Sequence, residues 1–189
     1  TKEKYGISDD DFVIGIMARL EAVKGHKYLI DAGKILKQKG KNIKILIIGT
    51  GGIEQEIKKY VKDNNMEDTV IFTGFIKNVR EILSIMDIQA NASYGTEATS
   101  LALLEGMSMG IPAVVSNYGG NPGVITHGEN GYIFALKDSK DMALYIEKIM
   151  DNKETFEYMK QKSKEIFNNK FTAEIYARNI ENVYRNVVK

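Results

Sequence analysis

"IKILIIGTG", from Ile43 to Gly51, carries a single charge and ends in glycines. A continuous apolar run of this kind reads as a strand covered on both faces, as in a parallel sheet. The surrounding chain repeats the theme. "FVIGIMAR" (Phe12 to Arg19), "TVIFTGF" (Thr69 to Phe75), "DIQANAS", "PAVVSN" and "GYIFAL" read as further strands. Between them, "HKYLIDAGKILKQKG" places apolar residues at helical spacing and stops at Gly40. "IEQEIKKYVKDNN", "VREILSIM" and "TSLALLEGMSMG" read as helices, and three helical stretches cover roughly Ser139 to Val188. Strands that alternate with helices build parallel βαβ units. The expected fold is α/β: a doubly wound parallel sheet of about six strands with C-terminal helices, residues 1–189 making one domain. The glycine-rich stretch Gly119 to Gly131 is the nearest thing to a linker.

Composition narrows the function. With 43% hydrophobic and 27% charged residues the chain is an ordinary soluble mixture. A net charge of +1 gives no electrostatic reason to expect nucleic acid or a membrane surface as partner. The absence of cysteine rules out disulfides, thiolate catalysis and zinc–thiolate sites, and fits a cytosolic origin. No apolar run approaches the roughly 18 residues that span a bilayer, so no transmembrane segment is expected. Thr1 to Asp11 is polar and charged, unlike a signal peptide. The chain begins without Met, which suggests a fragment of a longer protein.

Ligands of doubly wound sheets bind at the carboxyl ends of the strands, so the chemistry is sought there. The first strand ends in "ARLEAVKG", where Arg19 and Lys24 could grip a phosphate or diphosphate, one as a planar fork and the other as a mobile point charge. They are equally readable as two surface cations among 26. The second strand ends at Gly49, Gly51 and Gly52, which permit close backbone approach but do not form G-x-G-x-x-G; a turn cluster is the simpler reading. No P-loop motif occurs. In "SYGTEATSLALLEGMSMGIPAVVS", Thr99 or Ser100 can cap a helix whose first backbone N–H groups, near Thr99 to Leu101, favour a bound anion. Glu97 lies on the loop before that helix, and Glu105 lies further along it, able to accept two bonds from a vicinal diol. Two carboxylates at either side of an anion site describe the ends of a nucleotide diphospho-sugar. The alternative is a solvated Glu97 and a Glu105 paired with Arg19 or a lysine. His26 reads as a surface residue at a helix start, His127 as a turn residue, and the methionines as core filling.

Taken together, "ARLEAVKG", "ILIIGTGG", "VIFTGF", "EATSLALLEGMSMGIPAVVSNYGGNPGVI" and "HGENGYIF" resemble the donor-binding C-terminal domain of a GT-B glycosyltransferase of family 4 (group 1), in order and spacing over about Val13 to Phe134. The E-x7-E spacing of Glu97 and Glu105 is the most specific element. The resemblance implies a retaining transfer of sugar from a nucleotide diphosphate to an acceptor hydroxyl, with no metal or other cofactor. It implies that Arg19 and Lys24 neutralise the diphosphate, Glu105 binds the ribose, and Glu97 contacts the transferred sugar or supports the reacting centre. Thr99, Ser100 and Leu101 would touch the phosphates, Gly49 would sit beside the donor, and Phe75 and Ile76 would border the base. Where the family often carries glutamate in "GG-x-P-E", this chain has Gly123. The resemblance further implies an absent N-terminal acceptor domain as partner. It also implies polysaccharide biosynthesis in the cytoplasm, at the inner face of the membrane for the full-length protein. A nucleotide-sugar epimerase half and a non-catalytic nucleotide-binding or assembly module are the alternatives.

Overall fold

The computed structural model describes residues 2–187. Six strands form one sheet: β1 (Phe12–Met17), β2 (Ile43–Ile48), β3 (Val70–Gly74), β4 (Ile88–Asn91), β5 (Ala113–Ser116) and β6 (Gly131–Phe134). Every paired neighbour is parallel, and the order is β3-β2-β1-β4-β5-β6. This is the doubly wound order, with its reversal between β1 and β4, where Ile14 stands opposite Ile88 and Gly15 opposite Gln89. The helices are α1 (His26–Gln38), α2 (Glu54–Asp63), α3 (Val79–Leu83), α4 (Leu101–Ser108), α5 (Asn121–Val124), α6 (Ser139–Met150), α7 (Lys153–Lys170) and α8 (Ala173–Val187).

Alternation along the strands divides the core. Ile14, Ile16, Ile45 and Ile47 point to the face covered by α1, α2 and α6 and join its main cluster. Val13, Leu46 and Ile48 point to the other face, against Ile82, Leu83 and Met86. On that second face, Leu103 and Met107 of α4 pack with Val115, Val124 and Ile166. Burial on both faces explains why "IKILIIGTG" shows no polar alternation. Gly15 is required in β1, because a Cβ there would overlap the Met86 side chain.

The glycine-rich stretch Gly119 to Gly131 holds α5, and His127 bridges to Gly131, the first residue of β6. The C-terminal helices pack unevenly. α6 and α7 pack on the domain, with Met142, Ile146, Ile149 and Met159 buried. α8 contacts α7 but buries none of its own residues, leaving Tyr176, Ile180, Val183 and Tyr184 exposed. No described helix is long and apolar enough to cross a membrane.

Candidate functional site

A cavity of about 790 Å³ opens at the carboxyl ends of β1 and β4. Arg19, Lys24, Phe75, Glu97, Thr99, Ser100 and Leu101 all line it. A second cavity of about 260 Å³ adjoins it, sharing Met17, Ala18, Arg19, Phe75 and Ala102, and is completed by Gly49, Ile76 and Glu105. Residues singled out along more than 80 positions of sequence therefore face one continuous cleft. Its place is the crevice that a strand-order reversal creates, since the loops after β1 and β4 leave on opposite sides of the sheet.

Each element delivers its residues for a local reason. After β1 the chain makes a 3-10 turn at Ala22–Lys24 that ends at Gly25 with φ of +71°. A side chain there would be strained, and its Cβ would overlap the backbone carbonyl of Ala92. This close approach sets Lys24 at the mouth of the cleft. Gly49 likewise turns back with φ of +134°, its Cβ position blocked by the Ala18 carbonyl. Ser100 is the N-cap of α4: its Oγ and its carbonyl both accept from the Leu103 N–H, while the Leu101 and Ala102 N–H groups have no intrahelical partner. Leu101 is 72% exposed, so the run between the two glutamates is not uniformly core; Leu103 and Met107 hold the helix down, while Leu101 faces the cleft.

Glu97 is not a solvated loop residue. Its side chain is 9% exposed, and one oxygen, Oε2, accepts from Lys24 Nζ at 3.0 Å, Ser93 Oγ at 2.7 Å and Asn91 Nδ2 at 3.3 Å. Burial pushes the carboxyl up, but the bonds from Ser93 and Lys24, the Lys24 charge and the Asn91 amide outweigh this and hold it below the ordinary glutamate value. Lys24 thus faces a carboxylate, and donates also to the Thr96 carbonyl. Arg19 reaches Glu21 at 2.9 Å with its side chain 74% exposed, so it does not pair with Glu105. Among the described residues, Glu105 forms no ion pair, and no group of His, Cys, Asp or Glu is arranged to hold a metal ion.

His26 overturns its surface assignment. At the start of α1 it is 2% exposed, and neither ring nitrogen has a hydrogen-bond partner among the described residues. Burial, with the neighbouring Lys24 charge, pushes its imidazole down to about 4, so it is neutral behind the Lys24 turn. His127 does sit in a turn, accepting the Ile133 N–H on Nδ1 between Tyr132 and Tyr145. Asn91 and Ser93 were not singled out as site residues. The one signal in the sequence was two polar residues, in "NAS", at the end of an apolar strand.

A family model described as "Glycosyl transferases group 1" matches residues 1–166. The N-acetyl-alpha-D-glucosaminyl L-malate synthase of Bacillus anthracis is 29% identical over 189 residues, covering 100% of this chain and 49% of that protein. The capsular polysaccharide biosynthesis glycosyltransferase CapM of Staphylococcus aureus is 28% identical over 193 residues, covering 100% and 50%. Anabaena Alr3699/HepE, solved in complex with UDP and glucose, shares the fold with a TM-score of 0.88 at 22% identity, over 97% of this chain and 50% of that one. The C-terminal domain of the group 1 family protein LpcC from Francisella tularensis superposes with a TM-score of 0.77 at 25% identity, over 86% of this chain and 87% of that one. The chain spans about half the length of the curated relatives it matches.

Proposed function

The chain belongs to the group 1 glycosyl transferases, and on that premise we propose that it is the donor-binding half of an enzyme moving a sugar from a nucleotide diphosphate to an acceptor hydroxyl, with retention of configuration. The observation that carries this is the single cleft lined at once by Arg19, Lys24, the start of α4, Glu97 and Glu105. The diphosphate lies between Lys24, Arg19 and the N–H groups of Leu101 and Ala102 at the start of α4. Its developing negative charge in the transition state is met by these two cations and the helix N–H groups, and the chemistry needs no metal ion or other cofactor. Glu105 takes the ribose hydroxyls in the smaller cavity, where Gly49, Phe75 and Ile76 border the base. Glu97 meets the transferred sugar in the larger one.

The acceptor binds on an N-terminal half of the same protein, which also covers the exposed apolar residues of α8. The match to a domain of nearly equal length and the half-length coverage of the relatives support this division. The name of the CapM relative supports polysaccharide biosynthesis as the setting; a place in the cytoplasm, at the inner membrane face for the full-length protein, is part of the same proposal. Gly123, at the position usually held by glutamate, has open space around its Cβ position.

The test is calorimetric titration of the chain with UDP, GDP and ADP and with their common sugar conjugates. One nucleotide binding to the wild type, and weakened at least about tenfold by both Arg19→Ala and Glu105→Ala, is the expected result for the loss of a charged contact in each case. Binding that survives both substitutions unchanged would overturn the assignment of the cleft.

A further inference from the structure

The ends of β4 and β5 carry four buried polar residues that packing does not require: Asn91, Ser93, Ser116 and, in α5, Asn121, each no more than 8% exposed. Polar groups in such positions cost stability unless bonded, so the bonds they make are informative. They form a chain. Asn121 Nδ2 donates to Ser116 Oγ at 3.1 Å and to its carbonyl at 3.2 Å. Ser116 Oγ donates to the Ser93 carbonyl at 2.5 Å. The Ser93 hydroxyl donates to Glu97 Oε2 at 2.7 Å, and its N–H donates to Asn91 Oδ1 at 3.1 Å. Asn91 Nδ2 closes the set on the same Glu97 oxygen at 3.3 Å. A second link joins the same regions through backbone: the Gly120 N–H donates to the Glu97 carbonyl at 2.9 Å, and neither Gly119 nor Gly120 has room for a Cβ against Glu97 and Ala98.

The bonding on Glu97 is one-sided. Oε2 takes three donors, whereas Oε1 takes none among the described residues. Of the three donors, Lys24 is on a flexible stem and is the one that a diphosphate would attract. Asn91 is held by its pairing with β5, and Ser93 by its bonds to Asn91 and Ser116, so both stay when Lys24 moves. We infer that Asn91, Ser93, Ser116 and Asn121 are positioning residues that fix one oxygen of Glu97 so that the other reads the transferred sugar, and that they tie this carboxylate to the Gly119–Asn121 turn. The inference rests on the donor-site reading above.

The test compares paired probes on the chain: UDP-glucose with UDP, GDP-mannose with GDP, and ADP-glucose with ADP. For the pair the wild type binds, the quantity read is how much the attached sugar tightens binding. In Ser93→Ala the nucleotide alone should bind within about twofold of wild type, while the sugar's contribution falls about tenfold, the worth of one lost bond to a charged group. Asn121→Leu, three hydrogen bonds away from Glu97, should show the same pattern with a smaller loss. Adding Ser93→Ala to Glu97→Gln should cost nothing further, because both act through one carboxylate. A Ser93→Ala or Asn121→Leu chain that folds and keeps the full sugar contribution would overturn the inference, as would an equal loss for nucleotide and sugar nucleotide. Should Ser93→Ala not fold, Asn121→Leu and Asn91→Leu carry the same criterion. A folded wild type that binds no probe would overturn the donor-site reading itself, a result seen before any variant is made.

Discussion

Gly25 and Gly40 offer a matched pair for testing how the Lys24 turn is held. Both have left-handed backbone, with φ of +71° and +76°. In Gly40→Ala the new methyl meets nothing within 4 Å, so the cost is conformational alone. That cost is about 1–2 kcal/mol, offset by roughly 0.4–1 kcal/mol from a less flexible unfolded chain. A net loss of about 1 kcal/mol is expected. In Gly25→Ala the same term applies, but the methyl also falls well inside the 3.0 Å that real Cβ atoms keep, against the Ala92 carbonyl. This neighbour is backbone at the end of β4 and cannot swing aside. Relief requires lifting the 22–25 turn, which breaks the bond from the Tyr94 N–H to the Val23 carbonyl, at 2.9 Å, and loosens Lys24 from Glu97. Each broken bond adds about 1 kcal/mol, so the total is about 3 kcal/mol or more. Urea unfolding, with a slope of about 2 kcal/mol per molar, would place the two midpoints about 1 M apart. Gly25→Ala should also weaken nucleotide binding, and Gly40→Ala should not. Equal midpoints for the two variants would refute the claim that the Gly25–Ala92 contact seats the turn.

His26 makes stability depend on pH: the folded imidazole titrates at about 4 and the unfolded one near 6.5, so stability is full above 6.5 and falls as pH drops from 6.5 toward 4. Between pH 7.5 and 5 the wild type should lose about 2 kcal/mol more than His26→Leu in urea titrations; parallel losses in the two chains would contradict the buried, neutral assignment. Lys24→Met removes the cation from a carboxylate that is 9% exposed but keeps its Ser93 and Asn91 bonds. It should therefore cost about 1–2 kcal/mol at pH 7, and a double-mutant cycle with Glu97→Gln should give a coupling of about 1 kcal/mol, whereas zero coupling would mean that the pair is not energetically real. Asp138 caps α6 by accepting from the Lys140 and Asp141 N–H groups, so Asp138→Ala should lower stability by about 1 kcal/mol without touching nucleotide affinity; an unchanged urea midpoint would deny the cap.

The strands were legible because burial on both faces leaves a plain mark, an uninterrupted apolar run, as in Ile43–Ile48. The candidate site was legible where motif spacing encodes it: Glu97 and Glu105 sit on either side of the start of α4, and all the residues singled out reach one cleft. What escaped the sequence was pairing across space. Lys24 and Glu97 are 73 positions apart, and nothing local says that a carboxylate will face that lysine. Ser116, at the end of β5, and Ser93, just past β4, are 23 apart, so their bond exists only once β4 and β5 are side by side. His26 looked like a polar helix start, and became core because Gly25 presses the chain onto Ala92. α5 was invisible because four residues containing Pro122 and Gly123 carry no periodicity to read.

The reversal of strand order also has a kinetic side. β1 lies beside β2, its successor along the chain, but its other neighbour is β4, and the Val13 N–H donates to an Asp87 carboxylate oxygen 74 residues away. Closing so long a loop costs chain entropy before any contact rewards it, and topologies rich in such contacts fold slowly. The β1-β2-β3 unit can assemble from near neighbours, whereas the β1–β4 seam must wait for residues beyond Ile88. The cleft is built on that seam, so in refolding it should be among the last features to appear, after most of the main hydrophobic core has already formed.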